Sequence, residues 1–216
     1  SLPDTPIFGN SPGVTTENVQ FTAQQAVRTT GVTLDTLTIN ADEAPMVIRG
    51  CQFNGLGNGI EIVGHNLANN TPRPCRGFLI RENDLSECVV GIWALGHVGE
   101  GAIVGNRFWN WGETGVRLAN LSDGAKQLLI ANNSFRGLQR CIEILESTKG
   151  IEGVEIRGNL LVAESGPDIV WAAGSAKLPA GWRIEKNWRQ VRRPVAGSVE
   201  AKEWLQSPGD QIVDKL

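Results

Sequence analysis

Six isoleucines divide this chain into units. Ile48, Ile80, Ile103, Ile130, Ile156 and Ile184 each open one short phrase, written IRGCQF, IRENDL, IVGNRF, IANNSF, IRGNLL and IEKNWR, and successive members stand 32, 23, 27, 26 and 28 residues apart. Self-similarity at a period of about 20–50 residues marks a solenoid or a propeller, in which each unit buries its apolar face only by stacking on its neighbour.

The rest of each unit keeps the alignment. Three places after the isoleucine stand Cys51, Asn83, Asn106, Asn133, Asn159 and Asn187, and five places after it Phe53, Leu85, Phe108, Phe135, Leu161 and Arg189. A second apolar segment follows at Ile60, Ile92, Val116, Ile142 and Ile169, preceded by glycine at Gly59, Gly91 and Gly115. The alternation Ile60-Glu61-Ile62 and Ile142-Glu143-Ile144 has the period of a strand with one face buried. Leucine-rich repeats have a similar period, but their leucine spacing is absent, and a propeller blade of about 40 residues is longer than this unit.

This pattern resembles the right-handed parallel β-helix of the pectin-lyase-like superfamily, over roughly residues 30 to 190. The resemblance implies an all-β, single-domain solenoid of about six coils, each of two or three short strands stacked about 4.8 Å apart. The isoleucines become an internal stack. Asn83, Asn106, Asn133, Asn159 and Asn187 become an Asn ladder, because a buried amide left unpaired costs about 1–3 kcal/mol. Cys51 in the asparagine place marks an end or change of the ladder. The β-helix is assigned to residues 32–190, with 32–39 read as strand. Residues 1–31 are expected to form an irregular N-terminal cap or partial coil. Residues 191–216 are expected to form a C-terminal cap with a short helix at 198–206. That helix has Ser198 as its N-cap, and Trp182 and Trp188 belong to the same closure. Such covers protect the open strand edges of a solenoid.

Composition narrows the function classes. A net charge of −3 gives no electrostatic case for nucleic acid. No run of about 18 apolar residues exists to span a membrane, and no charged-then-apolar leader opens the chain. A start at Ser-Leu-Pro without Met is expected of an excised or processed domain. An extracytoplasmic or secreted location is favoured by the resemblance alone. Cys51, Cys75, Cys88 and Cys141 lack the C-x-x-C spacing of a zinc motif. Cys51, Cys88 and Cys141 read as small buried residues, Cys75 as the exposed thiol of a Pro-rich loop.

Function has to come from sites on the fold. The second strand column points Glu61, Trp93, Arg117 and Glu143 outward in successive coils. That row could grip a sugar chain with a flat indole and charged hydrogen-bonding groups, or be an ordinary solvated face with cross-strand ion pairs. His65 and His97 fall at one register, each after glycine, beside the long insertion 66–76. They are either an acid–base or ligand pair or turn residues stacked by repeat inheritance, and two histidines alone do not complete a metal site. Register places Phe108 in the core and leaves Trp109 or Trp111 exposed. Glu82, Asp84, Glu87, Glu100 and Glu113 are further acids. Asn69, Asn120 and Asn132 head weak glycosylation triplets.

Polygalacturonase-like relatives of the resembled fold carry Asn-Thr-Asp, Asp-Asp, Gly-His-Gly and Arg-Ile-Lys. Here only Gly96-His97-Val98-Gly99 loosely echoes one of them. The expected function is therefore a non-catalytic β-helix module, without cofactor or metal. It would bind a poly- or oligosaccharide or present an interaction surface within a larger protein. The alternative is a divergent polysaccharide lyase or glycoside hydrolase with its site near Glu61, His65 and His97.

Overall fold

The computed structural model describes residues 7–9, 13–23, 29–35, 44–64, 74–110, 112–119, 127–145, 153–164, 168–171, 181–189 and 211–212. Among these every residue in regular structure is in a strand, and every strand pair is parallel. Three sheets of seven, eight and seven strands run side by side along the chain, with a two-stranded pair beside them. Consecutive strands of one unit go to different sheets, so the polypeptide winds round a triangular prism. This is a parallel β-helix.

Sheet one carries the isoleucine phrases. Thr16, Ile48, Ile80, Ile103, Ile130, Ile156 and Ile184 are Cα partners in turn. Sheet two stacks Phe21, Phe53, Leu85, Phe108, Phe135, Leu161 and Arg189. Sheet three stacks Val32, Ile60, Ile92, Val116, Ile142 and Ile169. These columns point inward, and apart from Thr16 and Arg189 at their ends they form one continuous apolar core, with Phe21 packed partly buried against it. The three sheets begin before residue 32, since Ile7–Gly9, Thr15–Glu17 and Gln20–Thr22 each supply a strand to one of them. Strand Thr30–Asp35 covers the start of the expected 32–39 segment. The expected helix at 198–206 lies outside the described residues, while Gln211–Ile212 adds a last strand to sheet two.

The corner between sheets one and two explains the recurring asparagine. Each amide bridges two neighbouring coils. Asn133 Nδ2 donates to Asn159 Oδ1 at 3.0 Å and to the Ile103 carbonyl at 2.9 Å, and its Oδ1 accepts from Asn106 N and Nδ2 at 2.9 and 3.0 Å. The same bonds link Asn83 to Asn106 and Asn159 to Asn187. At the first coil Cys51 contributes only its backbone N–H to Asn83 Oδ1, at 2.9 Å. The residue before each of these positions is left-handed: Asn18, Gly50, Glu82, Gly105, Asn132, Gly158 and Lys186 have φ between 55° and 67°. Glycine alternates with larger residues there, and at two of its three places a side chain would also clash. A Cβ on Gly50 or Gly158 would lie 2.6 or 2.5 Å from the amide oxygen of Asn18 or Asn132.

Opposite the aromatic column, Gly31, Gly59, Gly91 and Gly115 of sheet three leave room for a ring or branched side chain. A Cβ on Gly91 would stand 2.6 Å from Phe108 Cδ1, and one on Gly115 2.5 Å from Phe135 Cδ1. The rings of Phe108 and Phe135 stack at 4.5 Å, those of Phe21 and Phe53 at 4.8 Å.

All four cysteines are free and buried. That corrects the expectation of an exposed Cys75. Cys75 pairs with Val98 in the two-stranded sheet, and its thiol donates to the Leu34 carbonyl at 3.7 Å. The residues before it are hydrophilic and Pro-rich, but the pairing returns the chain to the core at that residue. Burial pushes the Cys88 thiol up to about 11 and the Cys141 thiol well above its ordinary value.

Candidate functional site

Sheet three does align the outward row. Thr33, Glu61, Trp93, Arg117, Glu143 and Val170 are successive Cα partners. Its Arg117 and Glu143 are committed to each other and to flanking charges. Arg117 Nε donates to Glu143 Oε2 at 2.5 Å, Arg140 Nη1 lies 3.2 Å from Glu143 Oε1, and Glu113 Oε1 accepts from Arg117 and Arg140 at 3.2 and 3.3 Å. Thr114 Oγ1 adds a 3.4 Å donor to Glu143 Oε2. Two guanidinium and two carboxylate groups thus neutralise each other across adjacent coils. Parts of the face are also withdrawn from solvent, while Glu61, Trp93 and Arg117 stay half-buried. Glu143 exposes 8% of its side chain, Thr33 and Val63 are buried although they point away from the core, and the Trp93 indole N–H is buried without a partner among the described residues.

The histidine register is half visible. Gly64 pairs with Gly96, and the His97 N–H donates to the Gly64 carbonyl at 3.0 Å. The His97 backbone lies so close over Gly64 that a Cβ there would meet its oxygen at 2.3 Å. His97 in turn accepts the Cys75 N–H at 2.8 Å. His65, Trp111, Asn69 and Asn120 lie outside the described residues, whereas Asn132 is exposed at its corner.

The acids do not converge. Glu82, Glu87 and Glu100 occupy three different left-handed corners of the prism. Glu87 accepts from Asn110 Nδ2 at 2.9 Å, Glu100 pairs with Arg76 at 3.4 Å, and Glu113 belongs to the network above. Among the described residues there is no group of three or more His, Cys, Asp or Glu able to hold a metal ion. No helix among them is long and apolar enough to cross a membrane.

The exposed chemistry lies instead on sheet two. Strand Arg107–Trp109 buries Phe108 and therefore turns Arg107 and Trp109 outward. Trp109 is 39% exposed. Its indole N–H donates to Asp84 Oδ1, Arg107 Nη2 donates to Asp84 Oδ2, and the Arg107 guanidinium sits 5.0 Å from the Trp109 ring centroid. One carboxylate from the preceding coil thus orients both side chains, and the cation lies over the ring. On the following strand Phe135 is buried, which turns Ser134 and Arg136 outward. Trp109 and Arg136 are Cα partners. Together with Asn110, Gly137 and Glu164 these residues line a shallow groove of about 410 Å³.

Register alone could have located this groove. Once Phe108 and Phe135 are assigned inward, the residues either side of each must point out. Sequence reasoning reached Trp109 but not Asp84 as its anchor, nor Arg107, Ser134 and Arg136 as its neighbours.

Comparison with curated proteins and with solved structures finds no match. A family model described as the right-handed β-helix region matches residues 7–179. That span takes in nearly all of the three sheets, and the chain belongs to the right-handed β-helix family.

Proposed function

We propose that this chain is a non-catalytic β-helix module that binds carbohydrate in the groove beside Trp109. The observation that carries the reading is a tryptophan exposed yet anchored: its N–H is engaged by Asp84, and its ring borders an open groove rimmed by Ser134, Asn110 and Arg136. A fixed aromatic ring offers apolar stacking area to the flat face of a sugar at low entropic cost, and the polar rim supplies hydrogen bonds. In this reading Arg117 and Glu143 hold coils together, and their mutually neutralised charges are not spent on ligand. The scatter of Glu82, Glu87 and Glu100 over separate corners supports binding over hydrolysis, which needs paired carboxylates across the scissile bond.

A glycan array read with wild type and Trp109→Ala tests this. Binding to a defined subset of glycans, reduced about 30-fold or more by the substitution, with no release of reducing ends or unsaturated product, is the expected result. Turnover of a bound glycan, or binding untouched by Trp109→Ala, overturns it.

A further inference from the structure

We infer that the ligand crosses the solenoid instead of lying along it, leaving sheet two over the corner at Gly137, so that Gly137 is a specificity-determining residue; this rests on the carbohydrate reading above. The groove is short along the solenoid axis. Its lining on sheet two comes from two adjacent strands, Arg107–Trp109 and Ser134–Leu138. The strands on either side, Asp84–Ser86 and Leu160–Ala163, contribute no described residue to it. Across the axis the groove reaches further. Asn110 and Gly137 stand at the corner where the chain turns from sheet two towards sheet three, and Glu164 follows the end of Leu160–Ala163.

That corner has a column of its own. Gly55, Glu87, Asn110 and Gly137 each stand two places after an inward residue of sheet two, and each is left-handed, with φ between 55° and 71°. Where the column carries side chains, they reach along the corner: Asn110 Nδ2 donates to Glu87 Oε1 at 2.9 Å. The row stops at Gly137. The next coil does not continue it, because the pairing slips there: Arg136 faces Val162, Leu138 faces Ala163, and Gly137 is left unmatched. An unmatched residue of this kind re-aims the chain around it. Glu87 and Asn110 hold the same φ with side chains attached, so backbone conformation alone does not demand glycine at Gly137. What glycine adds is room. With that position bare, a sugar on the Trp109 ring has a path over the corner, and a side chain there would extend the row beyond Asn110 and close it.

The test is calorimetric titration of the oligosaccharide that binds wild type most tightly on the glycan array. Gly137→Asn introduces a residue type that this left-handed corner already accepts at Asn110, and it fills the groove. Affinity should fall about tenfold or more, with little change in melting temperature. Gly137→Ala strains the backbone more but fills less, and should cost no more than about threefold in affinity. A merely structural glycine would give the reverse order, with alanine the worse of the two in both melt and binding, and that order overturns the inference. Val162→Gln, on the axial path beside Arg136, should change affinity by no more than about twofold. A loss in Val162→Gln equal to that in Gly137→Asn also overturns it. If Trp109→Ala abolishes binding while Gly137→Asn leaves it intact, the inference falls and the carbohydrate reading stands. If no glycan on the array binds, both fall.

Discussion

Asp168 and Arg189 are joined by two hydrogen bonds, Arg189 Nε to Asp168 Oδ2 at 2.6 Å and Nη2 to Oδ1 at 2.5 Å, with only 4% of the arginine side chain and 12% of the aspartate exposed. Arg189 stands in the column that Phe53, Phe108 and Phe135 fill, and Asp168 in the column of Gly59, Gly91 and Gly115. An ion pair has replaced a ring seated on a bare glycine. Removing one partner leaves the other charge buried, so Asp168→Ala or Arg189→Met should destabilise by about 3–5 kcal/mol. Asp168→Gly combined with Arg189→Phe rebuilds the pairing of the earlier coils and should recover most of the loss. A double-mutant cycle on denaturant midpoints measures it, and additive losses would refute the exchange.

The asparagine corner makes a second prediction. Leucine at Asn133 removes an acceptor from Asn106 and a donor to Asn159 and Ile103. Each buried group left unpaired costs about 1–3 kcal/mol. Asn133→Leu should therefore lower stability by at least about 3 kcal/mol despite its added apolar bulk. An unchanged melting temperature would contradict the ladder.

Two glycines should respond for opposite reasons. Gly105 has φ +67° and nothing within 4 Å of an added Cβ, so alanine there costs only the left-handed strain of about 1–2 kcal/mol. Gly91 lacks a positive φ, but its Cβ would meet both the Gly115 carbonyl and the Phe108 ring at 2.6 Å. Overpacking there should cost about 3 kcal/mol. Equal losses in urea melts would show that the aromatic column does not press on sheet three.

Thiol chemistry gives a pH signature. The folded Cys88 value of about 11 stands above the ordinary 9.0 because burial disfavours the thiolate. The unfolded chain therefore ionises first as pH rises. This group's contribution is fully present below the ordinary value and is lost as pH climbs from there towards 11. Stability of wild type relative to Cys88→Ala should narrow across that window and stay constant below it. All four thiols should resist Ellman's reagent until the protein unfolds, and a fast-reacting Cys75 would contradict its burial.

The inward columns were legible because a coil repeats its geometry, and isoleucine, asparagine and phenylalanine recur wherever that geometry demands them. Period-two alternation also shows which residues turn away from the core. It does not say whether an outward residue meets water. Glu143 and Trp109 are equally outward by register, yet one is held in an ion-pair network and the other borders an open groove. Cys75 was misread for a related reason, since local composition cannot reveal a pairing with Val98 across the intervening chain. Arg189 in an apolar column was visible in the sequence, but its partner Asp168 belongs to another sheet.

The central claim is that Trp109, and not exposed indole in general, receives the ligand. Trp188 is a fitting control: it lies on the same sheet, is 48% exposed, and does not line the groove. Titration of a bound oligosaccharide into Trp109→Ala and Trp188→Ala, each checked for an unchanged melt, decides the matter. The account predicts that binding collapses in Trp109→Ala and persists in Trp188→Ala. Retention in the first, or equal loss in both, would contradict it.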